Sequence, residues 1–481
     1  MTGGAPLIVS YSGIRGIVGE SLTPDVAARY ARAFGRMIAA RHRVPTILLG
    51  RDTRASGPAL LAGAVRGLAP FGALVDLGVV ATPTLQHALG VFDAQAALCI
   101  TASHNPSQWN GMKLFLAPER VVLDGAHIRE LRGLVDAEDT PVADATHAVP
   151  SDRHDDALRV HVERVCAHLD IERIRAARLR VAFDPGGGAG FEVTRRLLVA
   201  LGCEAVHVAS TRESEPLAEH LGELRRAVVA ERCDLGVAQD LDADRLALVA
   251  ADGSAPGEEL TLVLAVDHLL ARSTGWGTPA SPGGAGAAER VVVKNVATTR
   301  AVDDIAARHG ARLVETAVGE VNLSRALAQE VALGHVAFGG EGNGGVIFPP
   351  LHLGRDSITG IGLVLERLAA GGGAPLHAHL AAMPRYFAHK RKAALDPARS
   401  RQDALAALLA AVETSFPDAV EVSRLDGLRV RFADGSWVGV RPSNTEPVVR
   451  LVAESPLSAW ADEAIARLER IARASDRPRV P

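Results

Sequence analysis

The chain has 481 residues, and its 52 Lys and Arg nearly balance 56 Asp and Glu, for a formal net charge of −4. That balance argues against a constitutive nucleic-acid binder and against a polybasic membrane-surface protein, and the length predicts two to four domains. Hydrophobic residues make up 48% and aromatics only 4%, so the cores must be built from Ala, Val, Leu and Ile.

Four cysteines (Cys99, Cys166, Cys203, Cys233) lie 30 or more residues apart with no C-x-x-C, which argues against a disulfide framework or a zinc site. The N-terminus lacks the charged and apolar regions of a signal peptide, and no apolar run approaches the roughly eighteen residues of a membrane span. A soluble cytoplasmic protein, monomeric or homodimeric, is expected. Lysine is rare: Lys113, Lys294, Lys390 and Lys392 are the four among 52 basic residues. An ammonium is a compact donor with a tunable pKa, unlike a guanidinium. Lys390 and Lys392 read as a basic surface segment.

In chain order, a Gly-flanked loop carrying Arg15 precedes a helix-period segment at 24–41, a buried strand at 46–49 and a second Arg-rich loop at 50–54. An apolar run at 96–100 then feeds Thr101-Ala102-Ser103-His104-Asn105-Pro106, with Lys113 ten residues beyond Ser103. A Ser at the end of a buried strand, followed by His and Asn, suits a nucleophile or phosphate carrier, and equally a turn. The charged stretch 136–156 reads as a linker. The strand 179–183 runs into Asp184-Pro185-Gly186-Gly187-Gly188, whose spacing misses the dinucleotide fingerprint and predicts a tight turn before a helix at 191–201.

The apolar run at 233–238 opens on Asp240-Leu241-Asp242-Ala243-Asp244-Arg245. Three carboxylates at i, i+2 and i+4 would line one side of an extended segment. Their repulsion needs a cation, and hard oxygens on a tight loop suit Mg²⁺ with room for a phosphate oxygen. An EF-hand is excluded because Arg245 and Ala251 occupy the required Gly and Glu positions. A turn at 252–257, a helix at 258–271, a Gly/Ala/Pro-rich surface loop at 274–288 and a strand at 291–293 follow. The run at 335–338 leads into Gly339-Gly340-Glu341-Gly342-Asn343-Gly344-Gly345, where Glu341 and Asn343 alternate and would face one space, suiting sugar hydroxyls. Beyond Gly371–Gly373 the pattern changes to a helix at 402–415, strands at 428–432 and 437–440, and Arg441-Pro442-Ser443-Asn444-Thr445-Glu446-Pro447, a candidate anion nest.

Taken together, T-A-S-H-N-P at Ser103, the Asp240/Asp242/Asp244 loop, the Glu341 loop and R-P-S-N-T-E-P at Arg441 resemble the α-D-phosphohexomutase family nearly end to end. The resemblance implies three related α/β domains with mixed or parallel sheets (1–150, 151–255, 256–375) and a C-terminal α+β domain (376–481) around one cleft. It implies that Ser103 is carried as phosphoserine on Mg²⁺ held by Asp240, Asp242 and Asp244, with Arg15, Arg245 and Lys113 offsetting charge. His104 or Lys113 would accept the sugar proton. Lys294, Glu320, Gly340, Glu341 and Asn343 would read the sugar, and Arg441, Ser443, Asn444 and Thr445 would grip the non-reacting phosphate.

The implied reaction interconverts hexose 6- and 1-phosphates through a 1,6-bisphosphate, which also serves as activator, with motion of the C-terminal domain retaining it. Val318-Gly319-Glu320 and Gly354-Arg355-Asp356 look like the phosphoglucosamine mutase branch, implying conversion of glucosamine 6-phosphate to the 1-phosphate for UDP-N-acetylglucosamine synthesis. The alternatives are a phosphomannomutase/phosphoglucomutase, a non-catalytic sugar-phosphate-binding protein and a phosphatase. A small-molecule sugar phosphate, not a nucleic acid or membrane, is the expected partner.

Overall fold

The computed structural model describes residues 6–137, 151–210, 212, 215–272, 288–395, 400–443 and 448–475. Four sheets organise them, and three share one pattern. In the first, strands Thr46–Arg51, Ala73–Val79 and Ala96–Ile100 run parallel, and Trp109–Leu116 closes beside Ala96–Ile100 in the antiparallel sense. The second sheet repeats this order with Arg180–Asp184, Glu204–His207, Leu235–Gln239 and antiparallel Leu246–Ala250. The third repeats it again with Arg290–Asn295, Arg312–Thr316, Val336–Glu341 and antiparallel Gly345–Ile347.

In each unit, therefore, the candidate loop joins the third strand to its antiparallel neighbour. These are the segments after Ile100, Gln239 and Glu341, at the carboxyl ends of buried strands where α/β sheets bind ligands. The first sheet is extended to eight strands, with Ile8–Ser10 and Gly13–Ile17 beyond Trp109–Leu116.

Local chemistry explains the elements. Helix Pro24–Ala39 starts where the Thr23 hydroxyl accepts from the Val26 N–H, with Pro24 in the first turn and Asp25 favouring the positive end. Its buried face runs Ala27, Ala31, Phe34 and Ile38. The glycine run after Asp184 is a tight turn: Asp184 Oδ1 accepts from Gly186 N at 2.7 Å before helix Gly190–Ala200 begins. The expected linker at 136–156 is partly helical, because Gly125–Asp136 ends and His154–Cys166 begins inside it; 138–150 lie outside the described residues, as do 274–287 of the expected surface loop. All four cysteines are buried and free. Among the described residues no helix is long and apolar enough to cross a membrane.

One apolar core runs continuously through the three α/β units, from Leu48 and Phe115 through Phe183 and Val237 to Val292 and Phe338. The C-terminal unit, a five-stranded antiparallel sheet with helices Arg401–Ser415 and Ser458–Ser475, keeps a separate core around Val430, Val438, Leu451 and Leu468. Polar contacts join it to the third unit. Arg429 grips both oxygens of Glu315 (2.6 and 2.5 Å), Asp426 Oδ2 accepts from Val318 N (3.1 Å), and Glu454 Oε1 accepts from Arg300 N (2.7 Å). Lys390, expected to be plain basic surface, belongs to this seam: its Nζ lies 2.6 Å from Glu259 of the third unit.

Candidate active site

Ser103 follows the fully buried strand Ala96–Ile100 and is itself buried, with φ = +51°. A side chain in that left-handed region costs roughly 1–2 kcal/mol and persists only where its surroundings over-determine it. Arg54 supplies much of that constraint. Its guanidinium donates to the carbonyls of Ser103 (2.7 Å), Asn105 (2.6 Å), Pro106 (2.9 Å) and Trp109 (2.9 Å), and Asp52 pairs with it from behind. In the sequence Arg54 is one arginine among several in the 50–54 loop, because the carbonyls it holds lie about fifty residues away. Substituting Arg54 with Met strands buried Asp52 and frees four carbonyls, so a loss of about 3–5 kcal/mol in denaturant unfolding is expected. A loss below ~1 kcal/mol would show that other contacts hold the loop.

The Ser103 hydroxyl donates to Asp240 Oδ2 at 3.0 Å. The three aspartates do not lie along an extended segment, as their spacing suggested. The chain turns through 241–243, with Ala243 in the left-handed region (φ = +56°), and the turn converges all three carboxylates. They share one division of labour. Asp240 Oδ1 accepts the N–H groups of Asp244 and Arg245 (3.1 Å each) while Oδ2 faces Ser103. Asp242 Oδ2 accepts from Thr82 Oγ1 (2.8 Å) and Lys113 Nζ (2.6 Å), and Asp244 Oδ2 from Lys113 (2.9 Å) and Arg355 Nη2 (2.6 Å). Asp242 Oδ1 and Asp244 Oδ1 are buried without hydrogen-bond partners. Asp242 and Asp244 thus each keep one oxygen without a hydrogen-bond partner, Asp240 Oδ2 accepts the Ser103 hydroxyl, and the three carboxylates offer atoms within 4.8 Å of one another. A hard divalent cation fits that donor set.

The charges respond to one another. Burial, then the Asp244 and Asp242 charges, push the Asp240 carboxyl well above its usual range. Burial also acts against Asp244, but Arg355, Lys113 and Arg245 outweigh it and hold this carboxyl low. Burial pulls Lys113 down while Asp242 and Asp244 more than compensate, so the ammonium stays charged above the ordinary lysine range. His104 behaves oppositely: burial, reinforced by Arg245 and Arg15, pushes it far below the usual imidazole range and leaves it neutral. Its Nε2 lies 3.4 Å from Glu215, which also pairs with Arg245, and Arg15 Nη1 donates to Asn105 Oδ1 at 2.7 Å. Glu215 gave no signal in the sequence.

The third loop reaches the same space. Glu341 Oε1 accepts from Asn295 (2.9 Å), and its Oε2 from Arg355 Nη1 (2.9 Å) and Asn343 Nδ2 (3.2 Å). Gly340 precedes it in the strand, opposite Val346. At Gly344 (φ = +81°) a Cβ would sit 2.0 Å from the Leu246 carbonyl, so a side chain there would prevent the Glu341 loop from meeting the aspartate hairpin. Glu320, first residue of helix Glu320–Ala332, places Oε2 3.3 Å from Arg355 Nη2. Lys294 is not brought to this group. It is buried against Asp303 and the carbonyls of Thr298 and Thr299 (3.3 Å each), and its strand neighbour Asn295, on the opposite face, reaches Glu341 instead.

In the C-terminal unit, Arg441 lies 4.0 Å from Asp426 and within electrostatic reach of Tyr11 and Glu341. Ser443 is buried, its N–H donating to Val448 O at 2.9 Å and its carbonyl accepting from Arg401. Asn444 and Thr445 lie outside the described residues.

Comparison with known proteins agrees with this division into units. Residues 7–140, 159–253 and 259–386 match alpha/beta/alpha domains I, II and III of phosphoglucomutase/phosphomannomutase, and 390–471 match its C-terminal domain. The chain belongs to the phosphoglucomutase/phosphomannomutase family. It is 33% identical to a phosphoglucomutase/phosphomannomutase of Thermococcus kodakarensis, over 94% of this chain and 95% of that protein. It is 34% identical to a probable phosphoglucosamine mutase of Methanopyrus kandleri, over 94% of each. A crystal structure of a phosphoglucomutase/phosphomannomutase family protein from Burkholderia thailandensis superposes with a TM-score of 0.78 at 26% identity, covering 97% of each chain. As a phosphoglucomutase/phosphomannomutase family member, the chain is a phosphohexomutase, an isomerase with a candidate acidic cation site.

Proposed function

We propose that this phosphohexomutase interconverts glucosamine 6-phosphate and glucosamine 1-phosphate, with Ser103 as phosphate carrier and a 1,6-bisphosphate intermediate. The observation that supports it most is the Ser103 hydroxyl 3.0 Å from Asp240, beside two buried aspartate oxygens without hydrogen-bond partners. Asp240, Asp242 and Asp244 would hold Mg²⁺, which when bound supplies charge neutralisation for the phosphoserine. The phosphoryl group leaves the Ser103 oxygen as its bond to a sugar hydroxyl forms; the hydroxyl's proton ends on the departing Ser103 oxygen, with His104, the neutral one of the two candidate bases, relaying it. After the bisphosphate turns over, its other phosphate returns to Ser103. Lys113, kept charged by two aspartates, acts as fixed positive charge, and Arg15 and Arg245 offset charge on the moving oxygens. Arg441 and Ser443, with Asn444 and Thr445, would hold the phosphate that does not react, a grip that hydrolysis would not need. Because the C-terminal unit has its own core and a polar seam, it is the part suited to close over the intermediate.

The amino sugar is favoured by Glu320. It shares the Arg355 guanidinium with Glu341 and Asp244, three carboxylates around one cation, and a 2-ammonium group supplies further positive charge where a hydroxyl cannot. Relatives of nearly equal identity carry glucosamine and glucose/mannose names, so sequence distance does not choose between those substrates.

A panel of hexose 1- and 6-phosphates, run with Mg²⁺ and a hexose 1,6-bisphosphate, tests the reading. Glutamine at Glu320 is expected to cut kcat/KM for the amino sugar by roughly 10- to 100-fold, and that for glucose 6-phosphate far less. Burial raises the Glu320 pKa, so the preference should also fade as the pH falls through that raised value and the carboxylate neutralises. Equal kcat/KM for both sugars in the unmodified enzyme, unchanged by E320Q, would sink the glucosamine assignment.

A further inference from the structure

Arg355 belongs to neither the aspartate hairpin nor the sugar loop, yet it touches both. Its guanidinium donates to Asp244 Oδ2 (2.6 Å) in the second unit and to Glu341 Oε2 (2.9 Å) in the third, and lies 3.3 Å from Glu320 Oε2. The side chain is buried. Its backbone is fixed by the next residue: Asp356 Oδ1 accepts the N–H groups of Ile358 and Thr359 at the start of helix Ser357–Ala370, and its Oδ2 takes His161 Nε2 (3.1 Å) from the second unit. Gly345 opens the passage for the arginine stem, since a Cβ there would lie 2.3 Å from Arg355 Cδ. A planar fork with donors on two nitrogens can hold carboxylates from two units in one geometry, which a single ammonium cannot do.

We propose that Arg355 is a positioning residue that locks the cation-holding carboxylate Asp244 to the sugar-reading carboxylates Glu341 and Glu320, so that cation affinity and the preference for an amino group at sugar C2 depend on the same guanidinium. By occupying Asp244 Oδ2 together with Lys113, it leaves Oδ1, which has no hydrogen-bond partner and only Arg245 Nε at 3.7 Å, as the oxygen available to a cation. By taking Glu341 squarely and Glu320 only at longer range, it leaves Glu320 able to accept a second cationic group. The C2 half rests on the glucosamine reading; the cation half does not.

The test separates the two halves. Free Mn²⁺ is titrated by electron paramagnetic resonance against the sugar-free full-length protein as wild type, R355K and R355M. Loss of an outer partner of a metal ligand typically weakens binding about 10- to 100-fold. That weakening is expected in R355M, with a smaller one in R355K, which keeps the charge and so guards against simple misfolding. The ratio of kcat/KM for glucosamine 6-phosphate to that for glucose 6-phosphate should fall toward one in both variants, and E320Q added to R355M should lower it no further. Mn²⁺ affinity within twofold of wild type in both variants overturns the proposal, as does an amino preference retained in full by R355K and R355M. A wild-type enzyme without amino preference would refute the glucosamine reading instead, and the Mn²⁺ titration alone would then decide for or against Arg355.

Discussion

Alanine at Ser103 is expected to abolish both mutase turnover and uptake of phosphate by the chain, with kcat falling by about 10⁴-fold or more. The hydroxyls nearby are committed elsewhere: Thr82 Oγ1 donates to Asp242, and Thr101 Oγ1 accepts from the Ser103 N–H. Neither faces Asp240 as Ser103 does. Intact-mass measurement after incubation with a hexose 1,6-bisphosphate should show one added phosphate in the wild type and none in S103A. A second variant separates chemistry from folding. Glycine carries no Cβ penalty at φ = +51°, so S103G should be at least as stable as wild type, by up to ~1 kcal/mol, and equally inactive. The strain at Ser103 is then read as a cost of function. Turnover within tenfold of wild type in either variant would remove Ser103 from the mechanism.

Methionine at Lys113 should produce the second large effect, and it should depend on cation. Lys113 is buried in the strand Trp109–Leu116 and joins Asp242 and Asp244 at 2.6 and 2.9 Å. Removing one partner of a buried ion pair leaves uncompensated charge and costs about 3–5 kcal/mol. Two aspartates lose a partner here, so the loss in chelator-treated protein should lie at the upper end of that range. Millimolar Mg²⁺ should recover part of it, because a bound cation replaces some of the missing positive charge and stabilises the folded state by mass action. Denaturant unfolding with and without Mg²⁺ measures both numbers. If K113M loses the same stability in chelator and in Mg²⁺, the carboxylates do not bind the ion as argued.

Much of the architecture was legible in the chain. Short apolar runs at 96–100, 233–238 and 335–338, each feeding a polar loop, are the third strands of three sheets with one strand order, and the loops after them are equivalent hairpins. Periodicity and composition suffice for that, because burial on both faces selects β-branched and aliphatic runs, and a loop at a strand's carboxyl end is where the pattern breaks. The motif residues Ser103, Asp240, Asp242, Asp244, Glu341 and Arg441 were equally visible, since each stands in a short segment whose composition is odd for a plain turn.

What the chain could not disclose is which oxygen of which carboxylate is taken. Arg355 meets Asp244 across 111 residues, Lys113 meets Asp242 across 129, and Arg54 meets the Ser103 carbonyl across 49. Such pairings depend on how three hairpins converge, and no local spacing encodes them. The same limit explains Lys294: one step of strand register turns its ammonium to Asp303 and gives Asn295 the place beside Glu341. The sequence by itself determined the kinds of groups present and the strand ends that carry them, because those follow from local pattern. Only the tertiary structure decided which charges are neutralised and which oxygens stay open, because long-range Coulomb and hydrogen-bond partners exist only once the units pack together.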